Sequence, residues 1–345
     1  MKPLIKPPRL VRGDTIATVS LSWGGAGDED ILWRYHQGKR RLEEVFGLHV
    51  VEMPHTLAGS EYVYHHPEKR AQDLMQAFSD PSIKGILSCI GGEDSLRITP
   101  WLDYDVICRN PKLFCGYSDT TVTHFQCFKA GLSSLYGPSL LSDFAENVAL
   151  PAYTEQWVQW QWFSPDAPGA VPTSPTYTGQ RQEWLKENAG TARTFLPGGT
   201  YILVQGSGSV QGPLIGGCLE ALDFLKGTEL FPAKEEFEGA ILFLETSEEK
   251  PPPWFVTFFL RSLAAMGILQ RLAGILFAKP QQEVYQQEYH AAIVQVLAEA
   301  NRADMPVLGN ASFGHNEPKF SLPMGALAAI HCGEPRFELL ESGVL

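Results

Sequence analysis

Residues 113–130 read Leu-Phe-Cys-Gly-Tyr-Ser-Asp-Thr-Thr-Val-Thr-His-Phe-Gln-Cys-Phe-Lys-Ala, an apolar run followed by a turn and a longer segment. The run 113–115 is typical of a short buried strand that ends at Gly116, and residues 119–130 have helical spacing. Strands that alternate with helices in this way build parallel sheets. This stretch therefore indicates an α/β fold.

Strand-like and helical segments also alternate upstream of this stretch. The strand-like segments are residues 15–21, 48–53 and 83–90, and the helical segments are residues 30–46 and 67–78. This alternation predicts a mostly parallel sheet covered by helices on both faces. Functional sites in such sheets lie beyond the carboxyl ends of the strands. The loops Gly91-Gly92-Glu-Asp-Ser and Gly116-Tyr-Ser118-Asp119 are expected there.

Residues 145–200 interrupt the alternation. Trp157, Trp160 and Trp162 precede a proline-rich stretch with little periodicity, which we interpret as a helix followed by a long connection. Beyond it, strand-like and helical segments are mixed again: residues 201–204, 240–244 and 273–278, and residues 254–269 and 284–301. We therefore predict an N-terminal domain at 1–145, a Trp/Pro-rich linker at 146–200 and a C-terminal domain at 201–345.

The composition excludes several classes of protein. The chain has 345 residues, of which 44% are hydrophobic and 19% charged, a globular balance unlike that of a disordered or fibrous chain. The net charge is −12, and no basic stripe suits a nucleic-acid backbone. No apolar run is long enough to cross a membrane, and the N-terminus lacks the apolar core of a signal peptide. We expect neither a nucleic-acid nor a membrane partner.

Six cysteines form no CxxC motif and no paired metal spacing. Each lies in or beside an apolar segment, so we interpret them as buried free thiols rather than disulfides or metal ligands. His65-His66 likewise lacks a Cys or Glu partner at metal spacing, and the glycine-rich run at 205–213 lacks the dinucleotide-binding spacing. We therefore expect a cytoplasmic protein without a metal or cofactor.

Ser118 is the first candidate for chemistry because it lies in the turn between the predicted strand and helix. Such a turn exposes a hydroxyl and directs the following backbone N–H groups, at a helix N-terminus, toward an oxyanion. The GxSxG pattern of a nucleophile elbow is only half met, since Thr120 stands at the place of the second glycine. The alternative is that Ser118 only caps the helix.

Two other residues could act on such a hydroxyl. His315 follows Phe-Gly and precedes Asn-Glu-Pro, which places it in a loop. Glu245 directly follows a buried strand, where it could accept the Nδ1–H of an imidazole at the edge of a cleft. Its neighbours Glu248 and Glu249 leave open a plainer interpretation, an acidic turn in solvent.

Several short motifs in order are more specific than any one of them. In chain order they are Gly91-Gly92, Gly116-Tyr-Ser118-Asp119 followed by His124, Tyr136-Gly-Pro, Ile215-Gly-Gly-Cys-Leu-Glu-Ala-Leu, Phe243-Leu-Glu245-Thr-Ser-Glu-Glu and Phe313-Gly-His315. This combination resembles the LD-carboxypeptidase family of serine peptidases, which also includes the microcin C immunity peptidases. The resemblance extends over residues 13–334.

The resemblance implies a role for each candidate residue. Ser118 matches the family's nucleophile, His315 its base and Glu245 its triad acid, with Glu248 as the alternative acid. A serine peptidase that forms an acyl-enzyme follows from these roles.

The resemblance also implies the architecture. The backbone N–H of Asp119, with a glycine N–H from the Gly91-Gly92 turn, matches the family's oxyanion hole. Family members are homodimers that need no metal. They combine a Rossmann-like N-terminal domain with a smaller, β-rich α/β C-terminal domain, and the active site lies at the interface between the two.

The family offers two classes of substrate. Its common activity removes the terminal D-alanine from a murein tetrapeptide, which implies a small peptide substrate and LD-carboxypeptidase activity. The immunity branch instead cleaves a peptidyl- or aminoacyl-nucleotide amide, and an aromatic residue of its inter-domain loop stacks on the nucleobase. Trp184 lies where it could fill that role, although a tryptophan in a long loop also packs the loop down. A catalytically inactive binding protein of the same fold is a further alternative, and the filled triad positions argue against it.

Overall fold

The structure, a computed structural model, describes residues 1–345 and contains two large sheets, a two-stranded sheet and nine α-helices. Five parallel strands make up most of the first large sheet: β1 (Thr15–Val19), β2 (His49–Glu52), β3 (Ile83–Ser88), β4 (Leu113–Gly116) and β5 (Leu135–Tyr136). Their spatial order is β2-β1-β3-β4-β5. Because the order reverses between β1 and β3, a crevice is expected there, beyond the carboxyl ends of the strands.

Helices connect these parallel strands. They are α1 (Leu32–Phe46), α2 (Ser60–His65), α3 (Pro67–Ser79), α4 (Tyr104–Arg109) and α5 (Thr121–Ala130). Helix α1 ends at Gly47, whose φ of 67° is that of a left-handed C-cap. Helix α3 begins with Pro67, which has no N–H to leave unpaired at a helix start.

The rest of the chain forms a second, eight-stranded sheet and its helices. The remaining elements are α6 (Ala152–Phe163), β6 (Gly169–Ala170), β7 (Thr176–Tyr177), β8 (Leu196–Pro197), β9 (Ile202–Gln205), β10 (Ser209–Cys218), α7 (Leu219–Leu225), β11 (Ile241–Glu245), α8 (Pro253–Ala265), β12 (Gly274–Ala278), α9 (Gln286–Glu299), β13 (Val307–Ala311), β14 (Leu322–Pro323), β15 (Leu327–His331) and β16 (Arg336–Leu339). The second sheet has the order β6-β16-β15-β10-β11-β12-β13-β9, with a parallel centre from β10 to β13. Strand β14 instead pairs with β5 and extends the first sheet.

Strand β10 packs tightly against helix α5 and joins the two halves of the molecule. A Cβ on Gly217 would lie only 2.5 Å from Cγ2 of Thr121, so only glycine fits at this point. The backbone N–H of Cys218 donates to Oγ1 of Thr121 at 3.0 Å. A single cluster of 49 buried apolar residues includes side chains from both halves. The second sheet is therefore held against the first by a shared core.

The predicted fold class is confirmed, with a mostly parallel first sheet and a second sheet that has its own helices. Strand β10 is the main element that the sequence did not predict, because Gly212, Pro213, Gly216 and Gly217 are poor strand formers. The three-part division of the chain stays a prediction. Within the proposed linker, α6 and three short strands are formed, and β6 pairs with β16.

All six cysteines are free, as expected, and five of them are buried. None of the helices combines the length and the apolar character needed to cross a membrane.

A buried ion pair links the helical turn after β5 (Leu140–Phe144) to the chain segment before β14. Nζ of Lys319 lies 3.0 Å from Oδ1 of Asp143, and both side chains are at most 1% exposed. The Lys319 ammonium also lies 3.7 Å from the centroid of the Tyr117 ring. Removing one partner of a buried pair leaves the other charge without compensation.

Replacing Lys319 with Ala is expected to lower the free energy of unfolding by about 3–5 kcal/mol, because Asp143 would stay buried and lose its main partner. Urea denaturation measures this loss. The matched control is Arg271→Ala, which removes an exposed pair with Glu238 and should cost less than about 1 kcal/mol. Equal losses in the two variants would contradict a structural role for the buried pair.

Candidate active site

Ser118 lies just beyond the carboxyl end of β4, in a single helical turn (Ser118–Thr120) that leads into α5. Its φ of 64° is in the left-handed region, which is uncommon for residues other than glycine and is associated with functional sites. Gly91 faces it so closely that a Cβ there would lie 3.0 Å from Oγ of Ser118. The hydroxyl caps no backbone N–H; its one hydrogen-bond partner is His315. A sharp turn between a strand and a helix exposes the serine hydroxyl in the way that a nucleophile elbow requires.

His315 lies between Ser118 and Glu245. It is in the loop between β13 and β14, and Glu245 is the last residue of β11. Nδ1 of His315 is 2.7 Å from Oε2 of Glu245, and Nε2 is 3.0 Å from Oγ of Ser118. Glu245 is 1% exposed and His315 is 8% exposed, so water screens their interaction weakly. The structure thus brings together the three residues that the sequence singled out.

Tyr136 of β5 hydrogen-bonds to both Glu245 and Ser118. Its hydroxyl donates to Oε1 of Glu245 at 2.5 Å and accepts the backbone N–H of Ser118 at 3.1 Å. Burial and the nearby Glu245 carboxylate raise the pKa of Tyr136 well above its ordinary value, so the hydroxyl keeps its proton. The sequence offered Tyr136-Gly-Pro only as a motif, since nothing local shows that its partners are Ser118 and Glu245.

Glu248 approaches His315 on the other ring nitrogen. Its Oε2 lies 2.9 Å from Nε2, the atom that also faces Ser118. Burial lowers the pKa of His315, but the carboxylates of Glu245 and Glu248 outweigh burial and raise the pKa to about 10. Burial would raise the pKa of Glu248, yet its contact with His315 lowers that pKa to about 2. Glu245, on Nδ1, therefore holds the position that orients the imidazole, and Glu248 does not.

The loop that begins at Gly91 is tied to the Ser118 turn. The Asp119 carboxylate accepts the backbone N–H groups of Asp94 at 3.0 Å and Ser95 at 2.8 Å. A Cβ on Gly91 would lie 3.2 Å from the backbone nitrogen of Asp119, so the two backbones are adjacent. The N–H of Asp119 itself has no acceptor within the protein. This arrangement places the predicted oxyanion-hole residues beside the Ser118 hydroxyl.

A cleft of about 620 Å³ includes His315 and Gly92 in its lining. Trp23, Arg34 and Trp184 also line it. The rings of Trp23 and Trp184 stack with centroids 6.2 Å apart and planes at 27°, and the Arg34 guanidinium lies 4.7 Å from the Trp184 ring. Trp184 is thus both a wall of the cleft and a packing residue of its loop. The part played by Trp23 was not predicted.

Arg34 supplies positive charge to this cleft. It is 3% exposed, and it donates from Nε to the carbonyl of Leu141 at 2.7 Å and from Nη1 to Oδ1 of Asn147 at 2.8 Å. Its guanidinium forms no ion pair with a carboxylate. Burial lowers the pKa of Arg34 to about 10, which leaves it a cation at neutral pH.

Cys218, Glu245 and His315 are the one group of side chains whose ligand atoms lie within 4.8 Å of one another, as a metal site requires. Glu245 and His315 already hydrogen-bond to each other. Burial raises the pKa of Cys218 well above its ordinary value, and a neutral thiol is a poor metal ligand. These residues therefore fit a metal ion poorly.

Comparison with protein-family models matches residues 16–137 to the LD-carboxypeptidase N-terminal domain and residues 211–330 to the LD-carboxypeptidase C-terminal domain. The first match contains Ser118, and the second contains Glu245 and His315.

Two relatives cover most of the chain. The chain is 31% identical to the carboxypeptidase-like protein YocD of Bacillus subtilis (strain 168) over 299 residues, which are 85% of this chain and 86% of that protein. It is 30% identical to the microcin C7 self-immunity protein MccF of Escherichia coli over 285 residues, 79% of this chain and 78% of MccF.

Solved structures share the same architecture. An MccF-like protein from Streptococcus pneumoniae in complex with AMP matches with a TM-score of 0.87 and 32% identity, over 95% of this chain and 98% of that chain. MccF in complex with aspartyl sulfamoyl adenosine matches with a TM-score of 0.85 and 25% identity, over 99% of this chain and 100% of that chain. Nucleotide-like ligands therefore bind to proteins of this fold.

Replacing Tyr136 with Phe is expected to lower kcat about tenfold or more with little change in KM, because the Ser118 N–H and the Glu245 carboxylate both lose a partner. Loss of the donated hydrogen bond also makes Glu245 a stronger acceptor for His315. The pKa of His315 should rise, and the acidic limb of the pH–rate profile should move to higher pH. Steady-state kinetics across pH measure both effects.

The control for this prediction is Tyr201→Phe, which removes a buried hydroxyl that donates to the carbonyl of Val171. Each variant should lose about 1–2 kcal/mol of unfolding free energy. If Tyr136→Phe loses no more activity than Tyr201→Phe, Tyr136 has no positioning role.

Proposed function

The chain belongs to the LD-carboxypeptidase family, and on that premise we propose that it is a serine-type hydrolase that cleaves a peptide-type amide through an acyl-enzyme. The position of His315, bonded to Glu245 through Nδ1 and within 3.0 Å of the Ser118 hydroxyl through Nε2, is the observation that supports this proposal. A serine hydroxyl is a poor nucleophile at neutral pH unless a base removes its proton during attack. His315 is the base within reach.

In the proposed reaction, each residue has the same role in forming the acyl-enzyme and in hydrolysing it. His315 accepts the Ser118 proton at Nε2 as Oγ attacks the scissile carbonyl, and then donates that proton to the leaving amine. Glu245 holds the Nδ1–H and stabilises the imidazolium. The N–H of Asp119 and a glycine N–H of the Gly91-Gly92 turn donate to the oxyanion, each worth about 3 kcal/mol in the transition state. Water then hydrolyses the acyl-enzyme by the same proton transfers.

The first candidate substrate is a murein tetrapeptide, from which the enzyme would remove the terminal D-alanine as an LD-carboxypeptidase. The family supports this candidate. The cleft supports it as well, because its volume of about 620 Å³ is in the range of sites for small peptides. Arg34 provides a cation for the carboxylates that such a peptide carries.

A second candidate is the amide that joins an amino acid or peptide to a nucleotide. The stacked pair Trp23 and Trp184, with Arg34 beside it, is the specific observation that favours it. Aromatic rings bind nucleobases by stacking, and a guanidinium binds phosphate. D-Alanine has no aromatic ring that could stack on such a wall. The Trp23–Trp184 pair therefore favours the nucleotide amide over the murein tetrapeptide as the substrate.

The finer features expected from the sequence are part of the same proposal. Residues 1–145 would carry the nucleophile and residues 201–345 the base and the acid, so neither part would be active alone. We also propose a cytoplasmic homodimer without a metal or cofactor, acting in peptidoglycan recycling on the first substrate or in microcin immunity on the second. An inactive binding protein is disfavoured because all three triad side chains are in hydrogen-bond contact.

Incubation with a murein tetrapeptide and with an aminoacyl-nucleotide amide, followed by mass spectrometry of the products, tests the reaction. Wild type should cleave at least one of them, and Ser118→Ala should lose about 10⁴-fold or more of that activity because the nucleophile is gone. Circular dichroism of the variant shows that it is folded. Activity that survives Ser118→Ala would contradict the mechanism, and failure of wild type on both substrates would remove the assignment of activity.

Replacing Trp184 with Ala tests the nucleotide candidate. Loss of stacking should raise KM for the nucleotide amide by about tenfold or more and leave cleavage of the tetrapeptide nearly unchanged. The matched control is Trp160→Ala, which removes an exposed tryptophan of α6 outside the cleft. Unchanged KM for the nucleotide amide in Trp184→Ala would contradict the stacking role.

A further inference from the structure

Two groups compete for one nitrogen of His315. Nε2 lies 3.0 Å from Oγ of Ser118 and 2.9 Å from Oε2 of Glu248. Nε2 forms its hydrogen bond with Ser118, and the Glu248 carboxylate forms an ion pair beside it. A carboxylate this close to the ring favours the imidazolium. A protonated Nε2 has no lone pair with which to accept the Ser118 proton.

Glu248 is less constrained than Glu245 in its contact with His315. Glu245 ends a strand, is 1% exposed and also binds Tyr136. Glu248 lies in the loop after that strand, its side chain is 41% exposed, and it lines the cleft. The buried glutamate is fixed by the fold, whereas the exposed one can move into the cleft without loss of packing.

Other charged or titratable groups also surround His315. They are Glu245 of β11, Cys218 of β10, Tyr117 beside the nucleophile, and Glu317 of the same loop, with Arg181 near Glu248. The Glu317 charge is compensated by Arg193 at 3.0 Å. The Cys218 and Tyr117 side chains are neutral at pH 7, because burial raises the pKa of each. Glu248 is therefore the partly exposed carboxylate whose position can change the protonation state of His315.

We propose that Glu248 is an ammonium-binding subsite that keeps the base blocked until a substrate amine draws its carboxylate away from His315 Nε2. When Glu248 leaves, the Nε2 proton passes to water, and the neutral imidazole can accept the Ser118 proton. This inference rests on the proposed function. It adds a group that the substrate must carry, a primary amine on the residue that supplies the scissile carbonyl.

The chemistry of the subsite favours an ammonium ion. When the Glu248 carboxylate moves away from the His315 imidazolium, it needs another cation as a partner. An unpaired charge in the cleft would cost free energy of desolvation. Both candidate substrates can supply one: the diamino acid that precedes the terminal D-alanine in a murein tetrapeptide has a side-chain amine, and an aminoacyl-nucleotide has a free α-amine. Within the protein, Arg181 is the cation that could bind Glu248 in place of the substrate amine. The experiment below distinguishes these two partners.

Titration of ¹⁵N-labelled histidine by NMR tests whether Glu248 keeps His315 protonated, and it needs no substrate turnover. The His315 signals, assigned with His315→Gln, should titrate about one to two pH units lower in Glu248→Gln than in wild type, because one of two carboxylates is removed. Glu249→Gln, which removes the same charge one residue away from the contact, should leave the midpoint unchanged. An unchanged titration midpoint of His315 in Glu248→Gln would overturn the proposal that Glu248 keeps this base protonated, whatever substrate the enzyme hydrolyses.

Kinetics with paired substrates test the ammonium. On whichever substrate is cleaved, wild type and Glu249→Gln should prefer the free amine over its N-acetyl form by about tenfold or more in kcat/KM at pH 7. Glu248→Gln should lose this preference and cleave the acetylated substrate faster than wild type does. Since His315 acts as a base only when deprotonated, the acidic limb for that substrate should move to lower pH.

Arg181→Gln completes the test. The preference for the amine should persist in this variant if the substrate provides the cation. Loss of the preference in Arg181→Gln, or its persistence in Glu248→Gln, would overturn the ammonium subsite. Absence of hydrolysis by wild type would count against the proposed function, and the NMR titration would still decide the state of His315.

Discussion

The imidazole of His315 has to be held at hydrogen-bond distance from two residues that different sheets provide. Ser118 follows β4 of the first sheet, and Glu245 ends β11 of the second. His315 itself lies in a loop that leaves β13 of the second sheet and enters β14 of the first. Distances of 2.7 and 3.0 Å leave only tenths of an ångström of tolerance before these bonds weaken. The relative position of the sheets is therefore the constraint on which the site depends.

Three contacts maintain that position. Gly217 and Cys218 of β10 pack on Thr121, three residues after Ser118. Tyr136 spans the sheets, since it is part of β5 and donates to Glu245. Lys319, in the segment after His315, is paired with Asp143 in the buried core. None of the residues in these contacts lines the cleft, whereas Glu248 and Trp184 do.

The sequence predicted the parts of the site that local patterns determine. A strand, a glycine and a serine before a helix indicate a nucleophile turn, and the ordered motifs that resemble the family indicate His315 as the base and Glu245 as the acid. Tyr136 could not be assigned, because its role arises from a contact with Glu245, 109 residues away. Strand β10 was missed for a related reason. Its glycines are unfavourable in isolation and are required only because another backbone lies against them. The net charge of −12 extends into the cleft, whose lining has five carboxylates and three arginines, among them the buried Arg34.

Rapid acid quenching during turnover, followed by mass mapping of the peptides, is the most direct test of the proposed acyl-enzyme mechanism. A covalent intermediate on Ser118 requires that His315, held by Glu245, has taken the proton of its hydroxyl. The peptide containing Ser118 should gain the mass of the substrate's acyl group and lose it again as product forms. An acyl group found on another residue, such as Cys218, would contradict this mechanism.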